Sequence, residues 1–302
     1  MSATTSAVEA RLRPRSPLRL PGRSAPDGVL RVQGPIVSRL LYVEEEPIVV
    51  RAWLTRGGEI HLRAAGADDG PMAREHLELA IERMRFALGI DEDMSEFYAR
   101  FKNDPLLGPV IRRKPWIRPR RRPWPWEALL GAVCAQLIEA DRALTILRRM
   151  VYAWGPIGPD GLRDVPGPAA IAARAPAEIT RLDLAPKRAL MLIRVAEQIA
   201  AGRIDPGDPA SDQRLLAMRD IGPWTAQMLA LNGRGDPDAL PAGDLGYIKL
   251  VGRLADLGRR ATVDEVEEFF APYEPYRGIA GTFALVGLHK RIAQGPPLRL
   301  AA

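Results

Sequence analysis

The chain has 302 residues, 47% of them hydrophobic and 26% charged, a balance ordinary for a globular protein of two or three compact units. Forty-three Lys and Arg against 37 Asp and Glu give a formal charge of +6, which suits a polyanionic partner without identifying one. Cys134 is the single cysteine, so an internal disulfide framework and a four-cysteine zinc or iron–sulfur site are excluded; no apolar run marks a membrane span or secretory signal, and a reducing, cytoplasmic setting is expected.

Residues 1–26 mix Ser, Ala, Pro and Arg without periodicity and read as a flexible basic arm. From Val29, the runs VLRV, YVEEEPIVVRAWL and EIHLRAA are β-branched or alternating and are broken by Gly57-Gly58, which predicts strands of an antiparallel sheet. Residues 72–88 then place Leu77, Ala80, Ile81, Met84 and Leu88 on one helical face. Residues 27–110 are therefore expected to form a small α+β domain. In the connector 111–126, Arg112, Arg113, Lys114, Arg118, Arg120, Arg121 and Arg122 alternate with Trp116, Trp124, Trp126 and prolines. Proline prevents regular helix there, and the segment is either a track for phosphates or a linker whose tryptophans pack on the neighbouring core.

Residues 127–302 read as an all-α domain. Leu130, Val133, Leu137, Leu144, Leu147 and Val151 share helical spacing over 127–151, and amphipathic segments follow around 168–176, 187–201, 211–218, 224–232, 245–257, 263–270 and 278–293. The chain as a whole is thus expected to be α+β, a small sheet with helices followed by a helical unit. His61, His76 and His289 have no ligand spacing and are read as surface or satisfied residues.

The segment LLAMRDIGPWTAQMLALNG, residues 215–233, carries the chemistry. One helix ends at Met218, the turn RDIGP follows, and Pro223 stands where a helix can begin because its missing N–H is not needed there. Backbone N–H groups around Gly222 and Thr225 are expected to point outward at a positive helix end, where a phosphate can sit. The second helix closes at Gly233, and a loop leads through PAGD to Asp244 at the start of the next helix. Asp244 alone would read as an N-cap.

IGPWTA and PAGD together resemble the hairpin, Gly/Pro-rich loop and aspartate of the helix-hairpin-helix DNA glycosylase superfamily. EALLGAVCAQLIEADRA (127–143), LDLAPKRA (182–189) and PYEPYRGIAGTFAL (272–285) agree in order, and the likeness to the bacterial 3-methyladenine DNA glycosylase II type extends over residues 28–293. The resemblance implies a DNA glycosylase acting in base excision repair on double-stranded DNA with a damaged base, an alkylated purine first of all, as a monomer and without an organic cofactor. Hairpin amides near Asp220, Gly222 and Thr225 would hold phosphate, the nucleotide would be flipped out, and Asp244 would stabilise the sugar cation as the N-glycosidic bond breaks. Trp224 occupies the position where bifunctional relatives carry the Schiff-base lysine, so the expected enzyme is monofunctional; Lys249 is not placed to substitute. Trp224, Met228, Leu285 and Val286 would line the base pocket, with Trp224 attracting a cationic base, although it could equally be a core residue behind the hairpin. Leu137 is either the wedge that fills the gap left by the flipped base, with Gln136 beside it near the DNA, or part of the helix core. A monovalent cation, Na or K, could be held by the carbonyls of Leu216, Met218 and Ile221.

Asp220 stands where the family usually has glycine, Met228, Leu285 and Val286 are apolar without being aromatic, and Tyr273-Glu274-Pro275-Tyr276-Arg277 replaces W-x-P-W-R, with Arg277 expected to be structural. These departures keep open a lesion-binding protein that does not excise, and a glycosylase for deaminated purines.

Overall fold

A computed structural model describes residues 6–67 and 70–292, with side chains as far as residue 287. The N-terminal unit is a five-stranded antiparallel sheet in the order β1-β5-β4-β3-β2, made of β1 (Ser6–Leu12), β2 (Leu30–Gln33), β3 (Ile36–Val43), β4 (Glu46–Leu54) and β5 (Ile60–Gly66). The EEE run resolves into the β3–β4 hairpin, with Glu44 and Glu45 at φ 47° and 69°, the sign that a two-residue turn between right-twisted strands requires.

The expected flexible arm is corrected over residues 6–12. β1 pairs with β5 from Ser6↔Gly66 to Leu12↔Ile60, and Val8, Ala10 and Leu12 pack on the cluster formed by the sheet and the first helix. Alternation in VEARL was the available signal, masked by small residues and the Ser/Pro-rich surroundings. Residues 1–5 of the arm lie outside the described residues.

Helix α1 (Ala73–Leu88) buries Leu77, Ala80, Ile81 and Met84 against the sheet, the face that its periodicity predicts. Helices α2 (Ser95–Phe101) and α3 (Gly108–Arg113) turn their Phe97, Phe101 and Val110, with Leu107 at the N-cap of α3, into one cluster with Tyr247, Leu250, Phe270 and Phe283. Packing therefore runs across the expected break near residue 110, because these apolar side chains find their partners in the C-terminal helices.

Three of the connector's arginines face inward, while Arg120 is exposed. Arg118 and Arg121 converge on Glu92 at 3.3 and 2.6 Å, and Arg122 reaches Asp27 at 2.8 Å and Glu127 at 3.0 Å. Trp126 is buried and donates from Nε1 to the Pro166 carbonyl at 2.9 Å, while the Arg83 guanidinium lies 3.3 Å over Trp124. Of the two readings of this segment, the packed linker describes these residues. Arg39 of β3 adds a buried ion pair to Glu127, with Asp164 3.5 Å from the same guanidinium nitrogen. The side chains of Arg39 and Glu127 are only 4% and 0% exposed, so sheet and helical unit are joined through charges that water does not screen. Burial pushes the Asp164 carboxyl up to about 6.

The helical unit comprises α4 (Pro125–Ala135), α5 (Ala140–Trp154), α6 (Pro168–Ala172), α7 (Pro176–Thr180), α8 (Pro186–Ala200), α9 (Asp212–Leu216), α10 (Pro223–Leu229) with a π-helical turn over 230–234, α11 (Leu245–Leu254), α12 (Val263–Phe270) and α13 (Arg277–Ile292). Proline opens α4, α6, α7, α8 and α10, where its fixed φ suits a helix start. Leu129, Leu130, Val133, Ile146, Leu147, Met150, Leu192 and Val195 form their core. The single helical stretch expected over 127–151 is in fact α4 and α5, separated at residues 136–139 where Gln136 turns to ψ 124° and Leu137 to φ 56°. Cys134 is buried in this core and its thiol is pushed up to about 12 by desolvation, which makes it inert. His289 falls beyond the described side chains.

Candidate active site

The hairpin runs from α9 through a turn to α10. Asp220 takes φ 71°, the left-handed conformation for which glycine is the usual choice and which Asp tolerates better than most residues. Its carboxylate is exposed, with Arg219 Nε 3.9 Å away. Gly222 is the extended N-cap of α10 at φ −111° and ψ 177°. Among the described residues, the amides of Gly222 and Trp224 donate to no partner. Thr225 differs from expectation: its N–H donates to the Gly222 carbonyl at 3.0 Å, because the first turn of the helix is drawn tight in the 3₁₀ manner. Its side chain is 1% exposed and turned inward.

The partner of that side chain is Gln136. Its Nε2 donates to Thr225 Oγ1 at 3.0 Å and to the Asp220 carbonyl at 3.2 Å, so the amide expected near DNA is engaged inside the protein. The next residue, Leu137, is 101% exposed at φ 56°. Of its two readings, core packing is removed by this exposure, since a leucine in the helical stripe would be covered.

Asp244 is the N-cap of α11 and is half-buried. Its Oδ1 accepts the Gly246 N–H at 2.7 Å, while the loop that carries it is held from behind by Arg277, whose backbone N and Nε donate to Asp238 Oδ1 at 3.0 and 2.9 Å. Glycines flank it on both sides. A methyl added at Gly243 would touch Trp224 Cβ and Cδ1 at 3.7 and 3.8 Å, and one added at Gly246 would lie 2.9 Å from Asp244 Oδ1 and 3.2 Å from Leu285 Cδ2. Trp224 and Leu285 therefore both pack close to the Asp244 turn, Trp224 beside Gly243 and Leu285 beside Gly246. The Trp224 ring is half-buried and its Nε1 has no hydrogen-bond partner among the described residues. Beneath the turn, Tyr247 is buried against Gly281; desolvation, and then the negative Asp244, push its phenol up, which keeps it neutral.

Met228 lies one helical turn beyond Trp224, half-buried, and its sulfur accepts from Asn232 Nδ2 at 3.8 Å. Val286 is 50% exposed, its carbonyl 3.4 Å from Lys114 Nζ. Lys249 is exposed on α11. Arg188, Gly246 and Tyr247 were not singled out in the sequence; Gly246, two residues after Asp244, was a readable signal, whereas the hydrogen bond that Arg188 donates to the Gln136 carbonyl crosses 52 positions. Among the described residues, no group of three or more His, Cys, Asp or Glu is placed to hold a metal ion, and no helix is long and apolar enough to cross a membrane.

No family model matches the chain. It is 27% identical over 227 residues, 72% of this chain and 75% of the relative, to the DNA-3-methyladenine glycosylase of Bacillus subtilis. It is 30% identical over 230 residues to a Mycobacterium tuberculosis protein named "Probable bifunctional transcriptional activator/DNA repair enzyme AlkA", 73% of this chain and only 45% of that longer relative. In fold it is similar to the 3-methyladenine DNA glycosylase of Archaeoglobus fulgidus, with a TM-score of 0.76 at 17% identity, over 93% of this chain and 98% of that one. With the hairpin and the Asp244 turn in place, the chain is similar in sequence and in fold to 3-methyladenine DNA glycosylases.

Proposed function

We propose that this protein is a monofunctional DNA glycosylase that hydrolyses the N-glycosidic bond of an alkylated purine in duplex DNA, acting as a monomer with Asp244 as its catalytic carboxylate. The observation that carries the reading is the Asp244 turn, a carboxylate with Trp224 packed beside Gly243 and Leu285 beside Gly246. Base loss leaves positive charge on the sugar, and a half-buried anion fixed beside that charge stabilises the transition state more than the ground state. Asp244 Oδ1 is held by the Gly246 amide, which leaves Oδ2 to face the sugar and to orient the attacking water. The Trp224 face attracts a cationic base by stacking and cation–π contact. An indole supplies no amine for a Schiff base, and Lys249 is solvent-exposed on α11, which supports hydrolysis without strand cleavage.

The unpartnered amides of Gly222 and Trp224 would hold a backbone phosphate. The hairpin also fits a monovalent cation, since among the described residues the Leu216 and Ile221 carbonyls accept no backbone amide and that of Met218 accepts only Ile221 N–H at 3.2 Å; such an ion would add positive charge next to the same phosphate.

The test is base release from methylated duplex DNA by the native protein and by Asp244→Asn. Asn caps a helix about as well as Asp, so the variant is expected to melt normally while its excision rate falls about a hundredfold or more. Equal base release by the two proteins would remove Asp244 from the mechanism. Tight binding to methylated or abasic duplexes with no release of any base would instead establish a lesion-binding protein, and release confined to deaminated purines would replace the substrate while keeping the chemistry.

A further inference from the structure

Leu137 poses a physical problem. A leucine at φ 56° sits in a region that costs an L residue about 1 kcal/mol or more, and being fully exposed it gains nothing from packing. Something else must hold the turn. Local backbone bonds there are long, Gln136 N to Val133 O at 3.5 Å and Ile138 N to Ala135 O at 3.4 Å, too poor to fix a strained peptide.

Two side-chain contacts supply the restraint. Arg188, in the first turn of α8, donates from a guanidinium nitrogen to the Gln136 carbonyl at 2.5 Å, which is the carbonyl of the peptide that Leu137 ends. A charged donor on that oxygen fixes the plane of the 136–137 peptide and therefore the direction in which Leu137 projects. From the other side, Gln136 Nε2 is bound to Thr225 Oγ1 and the Asp220 carbonyl, so the same residue is tied to the hairpin. Arg188 is itself half-buried.

Resting on the glycosylase reading, we infer that Arg188 is a positioning residue: it locks the Gln136–Leu137 peptide so that Leu137 is presented as a preformed wedge at a fixed distance from the phosphate-holding hairpin. Wedge insertion and phosphate capture are then one rigid event, and ordering of the turn is not charged against flipping when DNA binds.

The experiment uses the full chain and a duplex with a tetrahydrofuran abasic-site analogue beside 2-aminopurine, whose fluorescence reports wedge insertion without any base being cut. Leu137→Ala is expected to lower the fluorescence change severalfold. Arg188→Ala should lower it to a similar extent, and the double variant should lose no more than either single one, because both act through one side chain. Arg188→Lys, which keeps a charged donor, should restore most of the signal. All variants should melt within a degree or two of the native protein, and single-turnover excision from methylated DNA should fall in step with fluorescence. If Leu137→Ala alters the signal and Arg188→Ala does not, or if their effects add fully, the positioning role is overturned while the wedge stands. If Leu137→Ala leaves the signal unchanged, the wedge itself is overturned, and the positioning role with it.

Discussion

Gly246→Ala separates stability from catalysis more sharply than removal of the carboxylate does. The new methyl would lie 2.9 Å from Asp244 Oδ1 and 3.2 Å from Leu285 Cδ2, inside the separation at which such atoms rest, so carboxylate and leucine must part by about 0.5 Å. The leucine has a flexible end and can give. Asp244 has a single carbon between its backbone and its carboxylate, and the Gly246 amide pulls Oδ1 toward the intruding methyl at 2.7 Å. The carboxylate therefore rotates away from where the sugar would sit. A displacement of about 1 Å can cost a hundredfold in rate, and half of that suggests about tenfold here. The helix itself gains, because replacing Gly in a helical turn is worth up to about 1 kcal/mol. The expected outcome is slower single-turnover base release from methylated DNA with a melting temperature equal to or above that of the native protein. Native excision rates from Gly246→Ala would refute the argument that Oδ1 is fixed by this contact.

The buried charges between sheet and helices give two further predictions. Arg39→Ala leaves Glu127 with Arg122 alone and Asp164 without its nearest cation, so stability should fall by about 3 kcal/mol, read as a lower urea midpoint with an unchanged slope. Asp164 supplies a pH test: burial raises its carboxyl to about 6, so the folded state binds that proton more tightly than the unfolded chain does. Stability from this group is present at low pH and is lost as pH rises from about 4 to about 6, by ~3 kcal/mol. Urea unfolding across that range should show the loss in the native protein and not in Asp164→Asn; parallel profiles would contradict it.

The helical unit was largely legible along the chain because its information is local. Periodicity placed α1, α8, α11, α12 and α13 nearly at their observed limits, proline marked helix starts, and Asp244 after PAGD was readable as a residue at a helix entrance. Where alternatives remained, they concerned which side of a residue meets solvent. Leu137 satisfied the apolar spacing of a helix, and only the backbone break after α4, held by Arg188 from another helix, turned it outward. Gln136 and Thr225 could be assigned to DNA from their positions, yet they bind each other across 89 positions.

The connector shows the same division. Its arginines and tryptophans were visible as a basic, aromatic run, but their function depended on carboxylates elsewhere. Arg118, Arg121 and Arg122 turn inward because Glu92, Asp27 and Glu127 are brought within reach by folding, and a charge paired in the interior is lost to a phosphate outside. β1 was missed because a strand's edge bonds are made with a partner distant in sequence. By itself, then, the sequence determined the helices, the hairpin and the place of Asp244 at a helix entrance, all set by backbone preference and short-range spacing. The tertiary structure alone decided which polar groups remain free to meet a ligand, since a donor or a charge is available only when no partner has been folded against it.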